Sequence, residues 1–253
     1  MTNNSTSRFS DRVNNYVKYR PGYPPEAISY LEKECRLSPQ SIIVDIGSGT
    51  GIFTKLLLEK GYTVYAVEPN DAMRGEADRQ LKNYPGYHSI NGTAESTNLP
   101  GKTADLIVCA QAFHWFNTPA TKAEFKRILK PGGNVALIWN NRDIEADDFA
   151  IAYELLLKQQ SGDYEQINHQ NLAETDFVNF YRNGKFSLVK FHNRQVFDFE
   201  ELAGRAFSSS YVPAEETEAG HHFKASLQEL FDCYNKHGKV IFRYQTEVYL
   251  GKL

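Results

Sequence analysis

Cysteine is scarce in this chain of 253 residues: there are three, Cys35, Cys109 and Cys233, far apart and in no C-x-x-C pair. They offer no disulfide framework and read as reduced packing residues of a cytoplasmic protein. No apolar run approaches the ~18 residues of a membrane span, and the polar N-terminus is not a signal peptide. A cationic excess is missing too. The formal net charge is −3, so no global basic field favours nucleic acid. Metal-ligand spacings do not occur either: His221 and His222 are adjacent, and there is no H-x-x-x-H or Cys/His cluster. Internal repeats, low-complexity tracts and domain linkers are likewise not found. What is present is 41% hydrophobic and 23% charged residues, ordinary globular usage. The length suits one α/β domain with an insertion, expected as a monomer or a weak dimer.

The chain is organised around residues 42–54, Ile-Ile-Val-Asp-Ile-Gly-Ser-Gly-Thr-Gly-Ile-Phe-Thr. Four of the five residues Ile42 to Ile46 are apolar and β-favouring, the pattern of a strand buried on both faces, interrupted by Asp45. Gly47, Ser48, Gly49, Thr50 and Gly51 then form a turn with no Cβ at three alternate positions. Ile52, Phe53, Leu56 and Leu57 follow at helical spacing, with Gly61 as the stop. Strand, glycine turn and helix together present a helix N-terminus and bare backbone to a ligand. A dinucleotide fingerprint, G-x-G-x-x-G, would need glycine at position 52, which is Ile here. Asp45, two residues before the turn, is a poor neighbour for pyrophosphate and a good one for an ammonium group. Glu68 closes the next strand, Thr63–Val67, where a ribose-binding carboxylate is expected. The two acids describe a nucleoside-bearing ligand with a cationic end and no phosphate.

Val44–Thr54 with Glu68, and the later segment Leu-Lys-Pro-Gly-Gly at 129–133 before an apolar strand, resemble a class I S-adenosylmethionine (SAM)-dependent methyltransferase. The small-molecule branch containing trans-aconitate and ubiquinone-type methyltransferases is the most similar. The resemblance is strongest over 42–140 and nearly absent over 145–182. It implies a cofactor, SAM, held by Asp45, Gly47, Ser48, Gly49, Gly51 and Glu68 with Pro69. It also implies an N-terminal arm, residues 1–24, closing over the cofactor. There Tyr16, Tyr19 and Arg20 would cover its methionine end, Arg20 pairing the carboxylate. Met73, in Glu-Pro-x-x-x-Met, would lie on the adenine, and Ala94 and Glu95, in Gly-x-Ala-Glu, would form the adenine turn.

The remaining elements follow from periodicity. The order is β-α-β-α-β-β-α-β, with crossovers long enough to force parallel pairing. A fourth strand spans 104–110 and a fifth 134–139, the fifth preceded by a helix N-capped at Thr118 and ended by Lys130–Gly133. Residues 145–182 read as a helical cap inserted over the pocket, its aromatic stripe mostly packing. Strand 186–199, helices 200–207 and 215–237, and strand 240–250 complete an antiparallel C-terminal edge. The expected whole is a single α/β domain, residues 1–253, built on a Rossmann-like, mostly parallel sheet.

Gln111, His114 and Trp115 leave the carboxyl end of the fourth strand, where an open α/β sheet has its ligand crevice. His114 is the candidate general base, because imidazole titrates near neutrality; the competing account is a loop-orienting or hydrogen-bonding histidine. A carboxylate acceptor would need no base. The expected partner is a small-molecule acceptor, a carboxylic acid among the candidates, and Arg142 could hold an anionic one or form a surface salt bridge. Two other functions fit less of the sequence: a non-catalytic SAM-binding protein, and a nicotinamide oxidoreductase, against which Ile52 and Asp45 speak.

Overall fold

The computed structural model describes residues 18–162, 164 and 172–253. The arm up to residue 17, with Tyr16, and part of the 145–182 insertion lie outside the described residues. Seven strands form one sheet in the order β3-β2-β1-β4-β5-β7-β6. In chain order they are β1 Ile42–Ile46, β2 Thr63–Val67, β3 Tyr87–Ile90, β4 Ala104–Ala110, β5 Leu129–Arg142, β6 Phe186–Phe197 and β7 Val240–Gly251. The first five pair in parallel, and β7 runs antiparallel to both β5 and β6.

Strand periodicity decides which side of the sheet each residue serves. On β1, Ile43 joins one apolar cluster while Val44 and Ile46 join the other; on β5, Val135, Leu137 and Trp139 alternate with Ala136 and Ile138 in the same way. Both faces are therefore covered, as a parallel sheet requires. Helices α1 Pro25–Glu34, α2 Ile52–Glu59 and α3 Asp71–Leu81 bury Leu31, Leu57 and Leu81 in one cluster. Helix α4 Pro119–Ile128 supplies Phe125 and Ile128 to the opposite one. Thr118 caps α4 by accepting from Thr121 N, with Pro119 at its first position.

Two boundaries differ from the sequence reading. Lys130–Gly133 does not simply end a helix. Helix α4 stops at Ile128 and β5 begins at Leu129, which pairs with Ala104, before the register jumps to Leu106 opposite Asn134. Gly132, at φ +87°, lets the extra residues bulge out without breaking the strand. The long C-terminal helix runs Glu218–Tyr234 rather than 215–237, because Thr217 caps it and Asn235 is already extended.

The described parts of the 145–182 insertion divide between two cores. Helix α5 Asp148–Gln160 packs Phe149, Tyr153, Leu156 and Leu157 against α7 Phe199–Phe207, α8 Glu218–Tyr234 and the outer end of β7. Helix α6 Glu174–Phe180 instead sends Phe177 and Phe180 into the sheet core, where Phe177 stacks on Tyr249 at 4.1 Å between ring centres.

Candidate functional site

The central strand β1 pairs with β2 on one side and β4 on the other, with Ile46 opposite Val67 and Asp45 opposite both Ala66 and Val108. Their carboxyl ends therefore come together, and three chain segments leave the sheet at that edge. The turn after β1 folds back so that Gly47 N and Ser48 N both donate to Val67 O, at 2.9 and 3.2 Å. Gly47, Gly49 and Gly51 all have positive φ, a conformation that side chains resist. At Gly47 space adds to the demand, since a Cβ there would fall 2.7 Å from Ala112 Cβ.

A cavity of about 230 Å³ opens above this turn. Of the sequence-derived candidates, Asp45, Gly47, Ser48, Gly49, Glu68, Pro69, Met73, Ala94, Glu95, Gln111 and Trp115 all line it. Glu68 is held in place at both oxygens: Gly49 N donates to Oε2 at 2.9 Å and Asn70 N to Oε1 at 2.8 Å. Burial pushes its carboxyl up, opposed by these two amides and by Arg74. Each oxygen keeps a lone pair for a hydroxyl, so the group is suited to a paired-hydroxyl ligand.

Asp45 is 1% exposed and accepts Thr54 Oγ at 2.6 Å on Oδ2 alone. Its Oδ1 is buried and has no hydrogen-bond partner among the described residues, and Thr50 Oγ, also buried, is in the same condition. Burial pushes the Asp45 carboxyl up to about 7, with Thr54 opposing and the Glu68 charge adding to the rise. Unpartnered buried polar atoms are rare, because each forgoes its hydration without compensation. Two of them on one cavity wall call for a ligand with a cation or donor at that point.

Gln111 carries the turn off β4 at φ +59°, unusual for a residue other than glycine. Its amide N donates to Ile138 O at 2.8 Å and its side chain to Asn140 O at 3.3 Å, which hold this conformation on the cavity wall.

Four candidates do not line the cavity. Gly51 lies behind the turn at the N-cap of α2, where a Cβ would meet Leu81 Cδ1 at 2.6 Å. Tyr19 packs on α7: its ring fills the place of a side chain at Gly204, and its carbonyl accepts from Gln195 Nε2 at 3.0 Å. Arg20 donates to Ser208 O at 3.0 Å. His114 sits in the single 3-10 turn Phe113–Trp115, its ring 4.9 Å from that of Trp115. Sequence reasoning in turn missed Tyr23, Thr50, Asn70 and Phe116 on the wall. Thr50 stood inside the quoted turn, and its small hydroxyl among glycines was the available signal.

Among the described residues no group of three or more His, Cys, Asp or Glu side chains is placed to hold a metal ion. No helix among them is long and apolar enough to cross a membrane.

Comparison with known proteins places this geometry in company. Residues 44–137 match the methyltransferase domain family. An uncharacterized methyltransferase of Mycobacterium bovis is 37% identical over 135 residues, 53% of this chain and 53% of its own length, so the match spans about half of that relative. An uncharacterized methyltransferase of Schizosaccharomyces pombe is 29% identical over 227 residues, covering 88% of this chain and 86% of its own. The crystal structure of a SAM-dependent methyltransferase from Thiobacillus denitrificans in complex with S-adenosyl-L-homocysteine shares the fold. Its TM-score is 0.53 at 16% identity, over 96% of this chain and 97% of that one.

Proposed function

We propose that the chain, whose residues 44–137 match the methyltransferase domain family, is a class I SAM-dependent methyltransferase that transfers a methyl group from SAM to a small-molecule acceptor. The observation that carries this reading is the pair of unpartnered buried atoms, Asp45 Oδ1 and Thr50 Oγ, on the wall that also holds the Glu68 carboxylate. A ligand with an ammonium group at one end and a ribose at the other satisfies both acids, and the bare turn 47–49 has no phosphate-friendly charge beside it.

In this assignment Asp45 accepts the ammonium group, Glu68 the ribose hydroxyls, and Met73 with Ala94 and Glu95 flanks the adenine. SAM supplies a methyl group already activated on a sulfonium. The chain's own work is then alignment and exclusion of water rather than bond activation. Trp115, Phe116 and Gln111 supply the wall between the cofactor and the acceptor side. His114, next to Trp115 and outside the cofactor cavity, is the candidate base for an acceptor that must lose a proton, the alternative role being to orient the 113–115 turn.

The test is calorimetric titration with SAM, S-adenosylhomocysteine and NADH. SAM and its product should bind 1:1 and NADH should not; the reverse order of preference would overturn the assignment. Incubation of the protein with radiolabelled SAM and small-molecule extracts should then label a soluble product. SAM binding with no label transferred to any pool would leave a cofactor-binding protein without the transfer activity.

A further inference from the structure

The described end of the N-terminal arm reaches the cofactor cavity along a path that no regular element supports. Residues 20–23 belong to no helix or strand, so neither a helical turn nor a ladder fixes their carbonyls. Side-chain amides on the far strands do so instead. Asn140 Nδ2, on β5, donates to Gly22 O at 3.1 Å, and Asn193 Nδ2, on β6, donates to the same oxygen at 2.8 Å. Three residues earlier, Gln195 Nε2 donates to Tyr19 O at 3.0 Å. A carbonyl has two lone pairs, and at Gly22 both are taken.

Asn140 is 5% exposed and follows the buried apolar run of β5. Its orientation is determined from the other side: Oδ1 accepts Thr246 Oγ at 2.5 Å and Asn193 Nδ2 at 3.2 Å. With that oxygen occupied, the amide nitrogen faces Gly22. The backbone carbonyl of Asn140 also accepts Gln111 Nε2 at 3.3 Å. Two wall residues, Gln111 and the Tyr23 that follows Gly22, are thus tied to one position that does not itself line the cavity.

The segment transmits this hold because it is stiff. Pro21 and Pro24 fix φ at their own positions and push Arg20 and Tyr23, the residues before them, away from the helical region. Gly22 is the freely rotating residue of the five, and its carbonyl is the one that two amides grip. Tyr23 is thereby set against Phe53, another wall residue, edge to face at 5.0 Å between ring centres.

We propose that Asn140 and Asn193 are positioning residues: their amides converge on Gly22 O and hold Tyr23 on the wall of the methyl-donor cavity. The role in cofactor binding rests on the methyltransferase reading above; the latch itself does not.

The test measures the SAM Kd by calorimetry in the wild type, Asn140→Leu, Tyr23→Ala and the double variant. Leucine is close to asparagine in volume and carries neither donor nor charge. Each single substitution should weaken SAM by at least about fivefold, and in the Tyr23→Ala background Asn140→Leu should add less than about twofold. Unchanged affinity in either single variant overturns the proposal. An undiminished loss on top of Tyr23→Ala also overturns it, because Asn140 would then act through the sheet and not through the tyrosine.

A second readout needs no cofactor. Tryptic cleavage after the exposed Lys18, relative to cleavage after the exposed Lys236 in the turn before β7, should rise at least about fivefold in Asn140→Leu as the arm lifts more often. An unchanged ratio overturns the latch. If Asn140→Leu does not fold, Asn193→Ala on the edge strand removes the second donor and carries both expectations, at least about twofold each. The readouts separate the failures: a raised ratio in a protein that does not bind SAM keeps the latch and removes the cofactor assignment, and SAM binding with an unchanged ratio does the converse.

Discussion

Asp45 is a carboxyl group that the ligand-free protein would rather keep protonated and that the proposed cofactor needs ionised. Its pKa in the folded chain is pushed up to about 7 from an ordinary 3.8. Between those values the native state binds the extra proton and the unfolded state does not, so ligand-free stability falls as pH rises from about 4 to about 7. The full difference is on the order of 4 kcal/mol. SAM affinity should change the other way, strengthening as pH rises through about 7, because the ammonium group pairs with the carboxylate. Thermal melts and SAM titrations between pH 5 and 8 should show both slopes, and Asp45→Asn should flatten both; a parallel pH profile in that variant would remove Asp45 from the account. Glu68→Ala should weaken SAM binding by ~1–3 kcal/mol, the cost of a lost charged acceptor for buried hydroxyls; calorimetry with unchanged affinity would argue against the ribose role. His114→Ala should lower turnover far more than SAM affinity if the imidazole removes a proton. Wild-type turnover would leave it to orient the 113–115 turn.

At the scale of elements, the site depends on how α2 is attached to β1. The helix starts without a side-chain cap, at a glycine with φ +82°. That leaves the first amides of the helix without a capping side chain, at a point where Ile52 and Phe53 line the cavity. Gly51→Ala should therefore strain the turn and press on Leu81, costing about 1–3 kcal/mol. Urea unfolding should show a lower midpoint with the same slope. SAM affinity should fall as well, since the helix start must shift; an unaltered Kd would mean that the turn adjusts independently of the helix. The β5 bulge at 130–133 is a contrasting case. There the extra residues lie at the opposite, amino end of the strand, where they can vary without moving Asn140 or Arg142.

Across the whole molecule, the sheet divides the labour. Its β2-β1-β4 half carries the proposed cofactor cavity, and its β5-β7-β6 half carries the side-chain amides that hold the arm. The two clusters that flank the sheet both run from β2, β1 and β4 into β5, whereas α5, α7 and α8 close a third cluster with the start of β7. Phe223 on α8 is fully buried in the core that α5, α7 and α8 share. Phe223→Ala should cost about 3–5 kcal/mol of stability through the cavity left behind. Under native conditions its SAM affinity, measured by calorimetry, should stay near wild type, because that core is separate from the two that flank the cofactor cavity; a matching loss of SAM binding would show that the third core supports the cavity.

The local sequence by itself determined the strand-turn-helix unit at 42–59, the acid that closes β2 and the parallel order of the first five strands. These follow from short-range rules: glycine where φ is positive, period-two apolar runs in strands, and crossovers too long for hairpins. Only the tertiary structure decided which named side chains reach the cavity. Thr50, Tyr23 and Phe116 face it, whereas Tyr19 and Arg20 are drawn to α7 and the loop after it by partners nearly two hundred positions away. It alone also decided that Glu154 pairs with Arg142. Backbone conformation is written in neighbouring residues, but burial and charge balance depend on which distant segments the fold packs together.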